Sequence, residues 1–260
     1  MFAKLRTLLW YLSRPRLYPQ LIYLITLKLS PGSSTPDDTG QEASQWCAEL
    51  SVDTNTALEQ LIGKPALKPI DYLFANVFEK AASIVRQCPI EMGGPGDLDL
   101  LYWVAEYLRA TKVIETGVAY GWSSLAILLS LRNRQGSKLF STDMPYPNRN
   151  NDQYVGCVVP PEIRSGWCIL RYADRQGLPR ALKALGTIDM CHYDSDKSYI
   201  GRMWAYPILW RALRPGGFFI SDDIGDNIAF REFSKMVACD PIVVTNSNKY
   251  IGVIIKPICK

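Results

Sequence analysis

The chain has a single histidine, and none of its seven cysteines forms a CxxC pair. Its odd, scattered set (Cys47, Cys88, Cys157, Cys168, Cys191, Cys239, Cys259) makes neither a disulfide frame nor a zinc site. It fits a reduced, cytoplasmic setting. Excess charge is also scarce. A net charge of +4 over 260 residues is too small to hold nucleic acid, so no nucleic-acid partner is expected. No apolar run is clean and long enough to span a bilayer. What remains is 48% hydrophobic and 21% charged, an ordinary globular composition with room for one large domain and an appendage.

Acid is missing altogether from residues 1–36, which carry Lys4, Arg6, Arg14, Arg16 and Lys28. Between these lie Leu8–Leu12 and Leu21–Ile25, broken near Pro15 and Pro19. The pattern predicts two short basic amphipathic helices over residues 1–30 rather than a signal peptide. Such an arm either adheres to an anionic membrane at its inner face or docks on the domain or a second subunit. A Pro/Gly/Ser-rich linker is expected over 31–45, and a helical cap over 46–90 punctuated by Gly63 and Pro65. The remaining residues, 91–260, read as the domain that carries the chemistry.

Strand-like and helix-like stretches alternate from Lys112 onward. Strands are expected near 112–116, 138–142, 167–172, 188–193 and 217–221. Two further apolar runs, 241–245 and 250–256, are joined by a short turn and predict a closing hairpin. The fold class is therefore α/β. It is a doubly wound, seven-stranded, mostly parallel sheet whose last strand runs antiparallel, with helices at the N-terminus.

Polar residues gather at the carboxyl ends of these strands. Glu115, Asp143, Asp194, Asp222 and Asp223 all stand there, at the edge where open α/β sheets hold ligands. Any one of them alone could be a helix cap. After Glu115 the turn Thr116-Gly117-Val118-Ala119-Tyr120-Gly121 leads into an apolar helix, so backbone N–H groups and a helix N-terminus meet there. Upstream, Glu91-Met92-Gly93-Gly94-Pro95-Gly96-Asp97 is either a close-approach loop or a plain turn capped by Asp97. The long stretch 144–166 reads as a lid or acceptor pocket, or as a contact between copies in a homo-oligomer.

Together these stretches resemble the class I S-adenosylmethionine-dependent methyltransferases, and within them a bacterial small-molecule O-methyltransferase-like group. The carriers are Glu115-Thr116-Gly117-x-x-x-Gly121, Asp143, Tyr172-Ala173-Asp174, Ile188 to Tyr199, Leu213-Arg214-Pro215-Gly216-Gly217 and Ser221-Asp222-Asp223. The spacing of Gly117 and Gly121 differs from the G-x-G-x-x-G of dinucleotide sites. The resemblance implies S-adenosylmethionine held by Glu115, Gly117, Gly121, Ser123, Asp143, Asp174 and Asp194. Asp143 would take the ribose hydroxyls and Asp174 would lie near the adenine. It further implies a magnesium ion on Asp194, Asp222 and Asp223, against the plainer reading of Asp222-Asp223 as a cap. Asp194 or His192 would receive the proton of a hydroxyl on a small or glycan-like acceptor. A lone strand histidine is often only a core residue. Lys197 departs from the commoner wording, where a histidine stands, and this leaves the base open.

Overall fold

The structure is a computed structural model and describes residues 2–29, 39–63, 67–247 and 249–258. Two helices form the arm, α1 (Phe2–Leu12) and α2 (Tyr18–Leu29), joined by a single turn of 3-10 helix over Pro15–Leu17. Of the expected linker, 31–38 lie outside the described residues. The rest is already helical, since α3 spans Gly40–Leu50. The cap continues through β1 (Ser51–Val52), α4 (Thr54–Ile62), α5 (Ile70–Leu73) and α6 (Ala75–Gln87). Asp53 caps α4 by accepting from the N–H groups of Asn55 and Thr56, and Gly63 ends it in the left-handed conformation.

The domain runs α7 (Leu98–Tyr107), β2 (Lys112–Thr116), α8 (Trp122–Leu131), β3 (Lys138–Thr142), β4 (Trp167–Leu170), α9 (Asp174–Leu185), β5 (Ile188–Tyr193), α10 (Tyr199–Ala212), β6 (Leu213–Ser221), α11 (Ala229–Met236), β7 (Ile242–Asn246) and β8 (Lys249–Ile255). The eight strands lie in the order β1-β7-β8-β6-β5-β2-β3-β4. Only β8 is antiparallel to its neighbours, β6 and β7, as the closing hairpin required. The strand beyond the seven expected is β1, which pairs in parallel with the edge strand β7. Two residues between helices carry no periodicity from which a strand can be read.

Strand residues alternate between two cores, as a sheet covered on both faces demands. Val113, Met190 and Phe218 face one side, where α4, α7 and α8 pack. Ile114, Cys191 and Phe219 face the other, with α9, α10 and α11. Helix α8 is apolar almost all round, and Ser124 to Leu131 are all buried. That burial pins the helix, and with it the glycine turn ahead of it, to the sheet. The chain leaves β2 for β3 on one side and reaches β5 on the other, so the strand order reverses at β2. A crevice opens above the carboxyl ends at such a reversal.

Candidate active site

The crevice is a cavity of about 530 Å³. It is built from the loops after β2, β3, β4, β5 and β6, closed by the loop before α7 and by the arm. The turn after β2 enters with Gly117 at φ +79°, Ala119 at φ +48° and Gly121 at φ +94°. Asp143, 4% exposed, fixes that turn by accepting the Val118 N–H at 2.9 Å. Its other oxygen is paired with Arg171, which also reaches Asp152. Burial, and then the charge of Arg16 on the arm, lower the Arg171 guanidinium to about 10.

Glu115 is fully buried below this turn. Its carboxylate accepts the hydroxyls of Ser123, Ser124 and Ser141, each at 2.6 Å. Three hydroxyls clamp the start of α8 to β2 and β3, and they turn the carboxylate away from the cavity lining. Gly121 is likewise outside the lining. A β-carbon there would come within 2.9 Å of the Gly156 α-carbon, so this glycine serves the packing of the 144–166 loop. Of the residues expected to line the cofactor, Gly117, Ser123, Asp143, Asp174 and Asp194 face the cavity, and Glu115 and Gly121 support it from behind.

His192, 1% exposed, stands between two carboxylates. Its Nε2 lies 3.3 Å from Asp222 Oδ1 and its Nδ1 3.8 Å from Glu115 Oε1. These are ion-pair separations, and among the described residues neither nitrogen has a hydrogen-bond partner. Burial alone would push the imidazole down, but the Asp222 and Glu115 carboxylates outweigh it and raise it to about 10. The two carboxylates thus favour the charged form of the ring, which faces an acid on either side.

Asp194 follows β5 with its side chain a third exposed, but its Oδ1 is enclosed without a hydrogen-bond partner. Burial, and next the charge of Asp222, raise its carboxyl to about 6, while His192 and Lys197 work the other way. Asp174 uses its carboxylate internally, accepting from Thr142 and Ser195, and burial raises it. After β6 the chain turns at Asp223, φ +51°. The fully buried Arg202 of α10 holds that turn by donating to the carbonyls of Asp222 and Asp223.

The three acids expected to share a magnesium ion are each engaged differently. Asp222 faces His192, and Asp223 is paired with both Lys197 and Lys249. The Lys197 ammonium also lies 3.5 Å from Asp194 Oδ1, so a lysine cation stands among the acids that a metal would need. Among the described residues no group of three or more His, Cys, Asp or Glu is placed to hold a metal ion. This donor set, as arranged, does not fit one.

The loop before α7 borders the cavity and leads into a capped helix. Gly93, Gly94 and Gly96 line the cavity, and a β-carbon at Gly96 would come 2.7 Å from Asp222 Oδ2. Asp97 caps α7 at the Leu100 N–H. In the long loop only Met144 to Pro147 line the cavity. Asn151 is buried against Met92, while Asp152 stays exposed and pairs with Arg171. Cavity residues that sequence reasoning passed over are Arg175, Trp204 and the arm's Tyr11 and Tyr23. No motif marks them, because they reach the cavity from separate elements. Lys197 stood inside a quoted motif, where its charge was the available signal.

Residues 114–224 match the family model of a methyltransferase domain. No curated protein matches the chain in sequence. Among solved structures, the O-methyltransferase of Bacillus cereus in complex with SAH superposes with a TM-score of 0.56 at 13% identity, covering 81% of this chain and 100% of that one. The O-methyltransferase TomG of Streptomyces achromogenes, involved in tomaymycin synthesis and solved with SAM, gives 0.53 at 16% identity over 72% and 96% of the two chains. A methyltransferase from Geobacter sulfurreducens gives 0.54 at 16% identity over 80% and 98%. At these identities the likeness is one of fold. Residues 114–224 thus match a methyltransferase domain, and the order of the sheet gives the chain the class I methyltransferase fold.

Proposed function

We propose that the chain transfers a methyl group from S-adenosylmethionine to a hydroxyl of a small or glycan-like acceptor, with Asp194 receiving the proton. The observation that carries this reading is the meeting of Gly117 and Asp194 in one cavity at the strand-order reversal. Backbone at Gly117–Ala119 can approach a ligand closely there, and Asp194, its side chain a third exposed, lines the cavity beside it. When bound, the cofactor supplies an electrophilic methyl group on a sulfonium.

This chain's residues divide the remaining work. Each oxygen of Asp143 accepts one protein donor and keeps a lone pair for a ribose hydroxyl. Asp174 and Ser123 close the cavity at its other polar points. Pro145, Tyr146, Pro147 and Trp204 offer the flat apolar surface on which a ring acceptor can lie. A hydroxyl is a weak nucleophile until its proton leaves. Asp194, raised to about 6, is ionised at neutral pH and is a stronger base than an ordinary carboxylate. The Lys197 ammonium beside it can hold the acceptor oxygen as charge develops. Magnesium takes no part in this scheme, because Lys197 and Lys249 already neutralise Asp223.

Titration calorimetry with S-adenosylhomocysteine, with NADH as control, tests the cofactor. Binding of the first and not the second is expected. Tight binding of NADH alone would overturn the reading.

A further inference from the structure

The arm has two faces. On the inner one Trp10, Tyr11 and Leu17 are buried against Leu21, Leu24 and Met144. Arg175 of α9 lies 4.0 Å from the Tyr23 ring centre and 4.7 Å from that of Trp204, and it donates to the Tyr23 hydroxyl at 3.0 Å. Gln176 donates to the Arg16 carbonyl, and Asn148 to the Thr7 hydroxyl. The arm is therefore docked on the domain, and Tyr11, Gln20, Tyr23 and Leu24 form part of the cavity wall.

The outer face is apolar and, among the described residues, uncovered. In α1 it presents Leu5, Leu8, Leu9 and Leu12, and in α2 Tyr18, Ile22, Ile25 and Leu29. The spacings of three and four residues put each set on one stripe of its helix. Leu9 is 57% exposed, Ile22 60% and Leu29 75%. Around these stripes Lys4, Arg6, Arg16 and Lys28 are exposed, and no acid occurs in residues 1–36. Helices of 11 and 12 residues are too short to cross a bilayer. Among the described residues no helix is long and apolar enough to do so.

We propose that this outer face docks the arm on an anionic membrane surface, the two helices lying in the interface plane with the cavity behind them. Charge decides the occupant. A second copy meeting the same face through two-fold symmetry would set basic residues against basic residues. An anionic lipid surface takes up both the apolar stripes and the cations between them.

Flotation of the full chain tests the proposal, using phosphatidylcholine vesicles with and without phosphatidylglycerol. The chain should float with the anionic vesicles, less so at high salt, and not with the neutral ones. Leu9→Glu with Ile22→Glu, and separately Lys4→Glu with Lys28→Glu, should each reduce flotation about tenfold or more. All four positions are exposed and lie outside the cavity. Unchanged S-adenosylhomocysteine binding by these variants shows that they remain folded, and it reports separately on the methyltransferase reading. A wild-type chain that ignores anionic vesicles, or variants that float undiminished, would overturn the proposal. So would a wild-type dimer in solution that these substitutions convert to a monomer, since that would assign the face to a second copy.

Discussion

A β-carbon at position 117 would lie 2.0 Å from the carbonyl oxygen of Asp194. The turn after β2 and the loop after β5 thus touch backbone to backbone at the base of the cavity. Neither can retreat. The Gly117 N–H is bonded to the Thr142 carbonyl at 2.8 Å, and the Asp194 N–H to that of Thr116 at 3.0 Å.

Gly117→Ala should therefore be costly on two counts, a left-handed φ and a clash with a backbone atom held in place. The two together should cost about 2–5 kcal/mol of stability. S-adenosylhomocysteine binding should also be lost at temperatures where the variant is still folded. Urea unfolding and calorimetry measure both, and a midpoint equal to wild type would refute the packing argument.

His192 makes stability depend on pH in a known direction. Its folded value is raised to about 10, above the ordinary histidine value of about 6.5. Its contribution is fully present below about 6.5 and is lost as pH rises through the folded value. The gap in urea midpoint between wild type and His192→Gln should thus shrink steadily from mildly acidic to strongly alkaline pH. An imidazole resonance that titrates near neutrality in the folded protein would contradict the ion-pair arrangement.

Asp194→Asn should lower turnover about 10²–10⁴-fold, the usual size of a general-base contribution. Cofactor-product affinity should stay close to wild type. The wild-type rate should fall as pH drops through about 6, where Asp194 takes up a proton. The corresponding acid limb should be missing from the residual rate of the variant. An unchanged limb would assign it to another group.

Chelation tests the cation among the acids. With Lys197 and Lys249 on Asp223, the rate should be the same in EDTA as without it. A rate lost in EDTA and restored by magnesium would mean that Lys197 leaves Asp194 and Asp223 during turnover.

The domain from β2 onward was legible because its signals are local. Five parallel strands end on Thr116, Thr142, Leu170, Tyr193 and Ser221, at or beside the residues where apolar runs gave way to polar ones. The Gly117–Gly121 turn, Asp143 and Asp194 announce the ligand edge by residue type alone. The two-residue β1 and the early start of α3 were not legible, since one is too short for a period and the other opens in a polar stretch. The duty of each acid was also hidden. Glu115 reads like a ligand contact in sequence, but Ser123, Ser124 and Ser141 converge on it from two other elements.

The sequence by itself determined the strands from β2 onward and which carboxylates stand at their ends. Hydrophobic period and turn chemistry act over a few residues and need no partner. Only the tertiary structure decided what each charge faces. His192 lies between Asp222 and Glu115, Lys197 lies between Asp194 and Asp223, and the arm folds back to wall the site. Charge interactions depend on distance through space and on burial, and neither can be read from separation along the chain.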